Sequence, residues 1–113
     1  MATLERHLLR ARDLADSRYG EPLDLRVLAR EAHVSPRHFS RSFRRIFGET
    51  PHQYLISRRL ERARHLLRTT ELSVAEICLE VGFTSMSAFS RLFRAHFGVS
   101  PSAQIRKIGQ ASL

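Results

Sequence analysis

Apolar residues at positions 4, 8, 11 and 15 recur with a period near 3.6, which predicts an opening helix that buries Leu4, Leu8, Ala11 and Ala15. Tyr19-Gly20-Glu21-Pro22 ends it. Asp24 is placed to cap a short helix reaching about Glu31, with Leu25, Leu28 and Ala29 directed inward. Ser35-Pro36 pairs a capping residue with proline at the first helical position, so a third helix runs from there to Phe47. Its apolar stripe is Phe39, Phe43, Ile46 and Phe47, and Gly48 stops it with a residue tolerant of positive φ. Thr50-Pro51-His52-Gln53 predicts a capped start for a longer helix striped with Ile56, Leu60, Ala63 and Leu67, ending near Thr69-Thr70.

Ser73-Val74-Ala75-Glu76 is a second capping box, opening a short helix to about Val81. Gly82-Phe83-Thr84 is a turn, Ser85 starts the next helix, Gly98 ends it, and Ser100-Pro101 begins a last short one. No stretch alternates β-branched and polar residues as a strand does. The expectation is an all-α fold of seven helices. It divides into a first helix-turn-helix subdomain over 4–49, a linker helix over 50–69, a second helix-turn-helix subdomain over 70–106 and a flexible tail over 107–113.

The pattern is written twice. Residues 35–51 and 85–101 align without a gap and agree at nine of 17 positions. Phe39, Phe43 and Phe47 return as Phe89, Phe93 and Phe97, and Ser40, Arg41 and Arg44 return as Ser90, Arg91 and Arg94. Each copy keeps an apolar inner face and a cationic outer one, which is the mark of one supersecondary unit used twice.

Charge sharpens this picture. With 19 basic and 11 acidic residues the chain carries +8, which implies a polyanionic partner. Residues 1–34 balance six arginines against six acids, whereas residues 35–68 hold nine arginines against Glu49 and Glu61. The cationic surface therefore begins with the first repeat helix. No apolar run is long enough for a membrane span or a signal-peptide core, so a cytoplasmic protein is expected, and one cysteine excludes an internal disulfide.

At 100° per residue, Arg37, Arg41, Arg44 and Arg45 share the helix face opposite the phenylalanines. A major groove about 12 Å wide admits such a helix, and the first turns of a recognition helix meet base edges. Base contacts are therefore expected from Arg37, Ser40 and Arg41 in the first copy and from Ser87, Ser90 and Arg91 in the second. Backbone contacts are expected from His38, Arg44 and Arg45, and from Ser85 and Arg94. A linker helix of roughly 27 Å compares with about 34 Å between successive major grooves on one face of DNA. An asymmetric site of about 15–20 bp, read by one chain with two elements a turn apart, is the expectation.

The residues Leu28-Ala29, Ser35, Phe39-Ser40-Arg41, Phe43 and Gly48 in the first half match a longer pattern. It continues through Arg59-Leu60, Ala63, Leu66-Leu67, Glu76-Ile77, Val81-Gly82-Phe83, Phe89-Ser90-Arg91, Phe93, Phe97-Gly98 and Pro101. Over residues 4–106 the chain resembles the DNA-binding region of the AraC/XylS family of bacterial transcription regulators. The resemblance implies recognition helices in adjacent major grooves of double-stranded DNA, action as a monomer, and activation through contact with RNA polymerase. It also implies either a small stand-alone member or a module of a larger regulator. His33 stands where the family pattern, like Gly82 of the second copy, has glycine, so positive φ is expected there. Cys78 and Ile105 stand at family core positions.

Other chemistry finds no foothold. No two of the six histidines lie at i, i+4 on one helix, so no metal or other cofactor is expected. Paired carboxylates, a nucleophile elbow and a phosphate loop are all missing, so catalysis has no candidate residue and the chain is not expected to be an enzyme. The competing reading is a small interaction protein that binds RNA polymerase or another regulator without sequence-specific DNA binding, using Arg58, Arg62 and Arg64. A basic amphipathic membrane surface is disfavoured, since the apolar faces are needed for the core.

Overall fold

A computed structural model describes residues 2–105. Its helices are α1 (Ala2–Ser17), α2 (Leu25–Glu31), α3 (Pro36–Phe47), α4 (Pro51–Thr69), α5 (Val74–Glu80) and α6 (Met86–Phe97). A seventh helical segment, α7, occupies residues 101–105. No strand occurs among the described residues. The tail expected over 107–113 lies outside them. No described helix is long and apolar enough to cross a membrane.

The helix starts follow the capping chemistry. Asp24 accepts from the Val27 backbone N–H at 3.0 Å, and Ser35 accepts from His38 at 3.2 Å with Pro36 at the first position. Thr50 and Gln53 exchange side-chain and backbone bonds of 2.9 and 3.1 Å, and Ser73 and Glu76 do the same at 2.9 and 3.1 Å. Each box satisfies two amide donors that a helix start leaves without an internal acceptor. Gly48 and Gly98 close α3 and α6 at φ of 83° and 81°, their N–H groups returning to the carbonyls of Arg44 and Arg94 at 2.8 Å.

The chain divides into two compact units, Met1–Arg58 and Arg59–Leu113, so the division falls inside α4. In the first, α1 packs on α2 and α2 on α3. The core is Leu8, Ala11 and Ala15 of α1, Leu28, Ala29 and Ala32, Phe39 and Phe43 of α3, and Leu55 of α4. In the second, α5 packs on α6, and the buried residues include Leu60, Ala63 and Leu67 of α4, Ile77, Cys78 and Val81, and Phe89 and Phe93 of α6. Each such phenylalanine contributes about 1.5–3 kcal/mol by leaving water. Both cores thus need a long helix in front of their helix-turn-helix, α1 in one case and the latter part of α4 in the other.

Three inward assignments are corrected. Leu25 is 39% exposed because it is the first residue of α2, at the lip of a groove with Leu23, Pro51 and Leu55. Ile46, also 39% exposed, sits in the last turn of α3, where Phe47 is the side chain that turns back under Arg12 of α1. Ile105 is 41% exposed, since α7 buries Pro101 and Gln104 in its place. Cys78 is buried as expected, and burial pushes its thiol up, away from the reactive thiolate.

Candidate nucleic-acid interface

The two helix-turn-helix turns are built alike. In the first, the Val34 N–H returns to the Ala29 carbonyl at 3.2 Å, and His33 takes φ of 59° to let the chain reverse. In the second, the Phe83 N–H returns to the Cys78 carbonyl at 3.0 Å, with Gly82 at φ of 98°. The left-handed residue expected at His33 is therefore present. The second turn is longer by Thr84, which is why α5 matches α2 at an offset of 49 residues while α6 matches α3 at 50.

Each recognition-type helix is anchored by its aromatic side. In α3, the Phe39 and Phe43 rings pack tilted with centroids 5.6 Å apart, and Phe43 meets Phe47 at 4.5 Å and Tyr54 at 5.7 Å, both edge-on. In α6, Phe89 meets Phe83 at 5.2 Å and Phe93 at 5.8 Å, and Phe93 meets Phe97 at 4.6 Å. Rings held at such separations fix the rotation of the helix about its axis, and with it the opposite face.

That face presents the candidate side chains. Arg37, His38, Arg41, Arg44 and Arg45 are exposed along α3, and Ser40 is half-buried beside them. In the second unit Ser87, Arg91 and Arg94 are exposed along α6, Ser85 is exposed just before it, and Ser90 is half-buried. Ser85 is already engaged as the cap, accepting from the Ala88 N–H at 3.2 Å and lying 3.2 Å from the Ser87 hydroxyl. Among the described residues no carboxylate reaches Arg37, Arg41, Arg44, Arg45, Arg91 or Arg94, so their charge is presented to solvent. The first face is the more cationic, because Arg37 and Arg45 correspond to Ser87 and Ala95.

Both aromatic strips end under a guanidinium that the repeat over 35–51 did not reveal. Arg12 of α1 lies 4.7 Å over the Phe47 ring, and Arg64 of α4 lies 5.1 Å over that of Phe97. Aligning α1 on α4 at an offset of 52 residues pairs Leu8 with Leu60, Ala11 with Ala63 and Arg12 with Arg64, a signal legible in the sequence at that different spacing. Among the described residues, no group of three or more histidine, cysteine or acidic side chains is placed to hold a metal ion.

Residues 28–107 match the model of a helix-turn-helix domain family. A crystal structure of a transcriptional regulator of the AraC-type DNA-binding group from Chromobacterium violaceum is 34% identical and superposes with a TM-score of 0.84, covering 97% of this chain and 98% of that one. The chain belongs to the AraC-type helix-turn-helix family. The DNA-binding domain of AdpA, solved in complex with a target DNA, is 36% identical with a TM-score of 0.86 over 89% of this chain and 91% of that one. The transcriptional regulator CdhR of Pseudomonas aeruginosa is 44% identical over 81 residues, 72% of this chain. This AraC-type chain spans about a quarter of the length of CdhR, 24% of it. Members of the family are transcription regulators, and the two built turns are the helix-turn-helix units for which it is named.

Proposed function

We infer that this chain is a sequence-specific, double-stranded DNA-binding transcription regulator that acts in the cytoplasm, and that α3 and α6 are its two recognition helices. The observation that carries the reading is the doubled unit itself. An exposed arginine face without carboxylate partners is set twice at the second helix of a helix-turn-helix, each time fixed by a buried phenylalanine strip. One such helix is a common solvated surface; two equivalent ones in one chain fit a bipartite site. The complex of the related AdpA domain with its target DNA supports the same partner here.

In this reading Arg37, Ser40 and Arg41 reach base edges at one element of the site, and Ser87, Ser90 and Arg91 at the other. His38, Arg44, Arg45, Ser85 and Arg94 hold the phosphates. An arginine clamps guanine O6 and N7 with two hydrogen bonds, worth about 1–3 kcal/mol of discrimination, whereas phosphate contacts fix register without reading sequence. The subdomains 4–49 and 70–106 take successive major grooves of an asymmetric promoter site as a monomer. Activation through RNA polymerase is the regulatory outcome proposed from the family resemblance.

The test is a salt titration of binding to a promoter fragment and to scrambled DNA, read by fluorescence anisotropy. Affinity for both should fall steeply as salt rises, with the gap between them persisting. Equal affinity for the two at every salt concentration would leave only a non-specific polycation.

A further inference from the structure

The second unit holds an open groove of about 420 Å³ between the latter part of α4 and the end of α6, lined by Glu61, Arg64, His65, Arg68, Thr69 and Phe97. We propose that it is a binding site for a small organic oxyanion, a carboxylate or a phosphate ester. The volume suits a compact ligand. The lining supplies two guanidiniums and an imidazole against one carboxylate, with the Phe97 ring as the apolar wall.

Arg64 is the anchor. Its guanidinium lies 5.1 Å over the Phe97 ring, and its Nε is buried without a hydrogen-bond partner. Among the described residues no carboxylate pairs with Arg64, His65 or Arg68. A buried donor left without an acceptor is costly, and the planar fork of arginine matches a carboxylate or phosphate with two parallel bonds. Arg68 stands in the last turn of α4, where the partial negative charge of the helix end takes up part of its cation, so it assists rather than leads.

The other copy of the repeat shows what a closed version of this corner looks like. Arg12 covers Phe47 as Arg64 covers Phe97. One residue and one turn further along α1 come Asp13 and Asp16, where α4 has His65 and Arg68. Asp16 accepts the Tyr54 phenol at 2.5 Å and lies 3.2 Å from the Arg58 guanidinium, so a carboxylate of the same unit pairs with the cation there. The position equivalent to Tyr54 in the second copy is Gln104. Replacing the two carboxylates with an imidazole and a guanidinium, and the phenol with an amide, leaves the second corner without the internal carboxylate that pairs with the cation in the first. An oxyanion there joins α4 to the C-terminal turn of α6. The site stands on the geometry of one unit and does not depend on DNA binding.

The test titrates the folded chain, without DNA, with inorganic phosphate and separately with benzoate, ionic strength being held constant with sodium chloride. Arginine Nε–H and backbone amide NMR signals are followed. Saturable shifts in the millimolar range are expected at Arg64, Arg68 and Phe97. Arg64→Gln should weaken binding at least tenfold, and Arg91→Gln should leave it unchanged. Should Arg64→Gln lose its fold, Arg68→Gln, altering an exposed side chain, carries the same test with a several-fold loss. Saturation by phosphate alone identifies a phosphate ligand, and by benzoate alone a carboxylate with an apolar body. Non-saturating shifts spread over the exposed arginines, or saturation untouched by these variants, would overturn the proposal.

Discussion

His33 holds φ at 59° in the first turn with its ring edge-on to that of His7, 4.8 Å between centroids. Two opposing effects meet at this residue. A side chain in the left-handed region costs roughly 1–2 kcal/mol, which favours glycine there. Glycine, however, gains entropy in the unfolded chain and discards the contact with His7. His33→Gly is therefore expected to raise stability by only a few tenths of a kcal/mol in the native background, and by more in His7→Ala, where no ring contact is left to lose. Denaturant unfolding of the four members of this double-mutant cycle measures the difference. Equal effects in both backgrounds would show that the ring contact contributes nothing.

The glycines at 48 and 98 give a cleaner measure of backbone strain. Both have φ above 80°, and a Cβ added to either meets no atom within 4 Å. Gly48→Ala and Gly98→Ala should each cost about 1 kcal/mol, with nearly equal drops in Tm, because conformation is the single term that changes. A loss in one far larger than in the other would point to a contact that the geometry does not contain.

Tyr54 ties α4 to α1 through Asp16, and burial, then that hydrogen bond to the carboxylate, pushes its phenol up to about 12. An unfolded tyrosine titrates near about 10. The folded state holds this proton more tightly, so the contribution is complete below pH about 10 and is lost as pH climbs toward 12. Tyr54→Phe should cost about 1–2 kcal/mol at neutral pH and flatten the alkaline fall in stability. Urea midpoints across that pH range read both effects, and an unchanged alkaline slope in Tyr54→Phe would remove Tyr54 as its source.

Element starts were legible because they rest on local chemistry. The caps at Asp24, Ser35, Thr50, Ser73 and Ser85 and the reversal at His33 involve groups within a few residues of one another. The candidate face was legible for a related reason, since a phenylalanine strip spaced by four leaves one side for the arginines. Burial near helix ends was not. Periodicity assigns Ile46 to the same stripe as Phe43, but it does not say where the neighbouring helix stops. The bond from Tyr54 to Asp16 spans 38 residues, and no local pattern announces it. The relation of α1 to α4 was hidden by its own offset of 52, different from the 50 that links α3 to α6.

Arginines on one helix should separate by role. Arg41→Ala is expected to relax preference at one element of the site and Arg91→Ala at the other, each by about 1–3 kcal/mol of discrimination. Arg44→Ala should weaken binding to all sequences alike and lower the salt slope by about one. Competition binding with single-base variants of the site distinguishes these outcomes. A uniform loss in Arg41→Ala would move that residue from base reading to phosphate binding.

One chain is proposed to read two elements, one with α3 and one with α6. Selection from a random duplex library at physiological salt, with sequencing of the bound fraction for the unaltered chain and for Arg91→Ala, is the decisive experiment. Two short elements about one helical turn apart should be enriched by the unaltered chain, and a single element should lose its preference in the variant. Enrichment of one element only, of a palindrome, or of no sequence at all would contradict it.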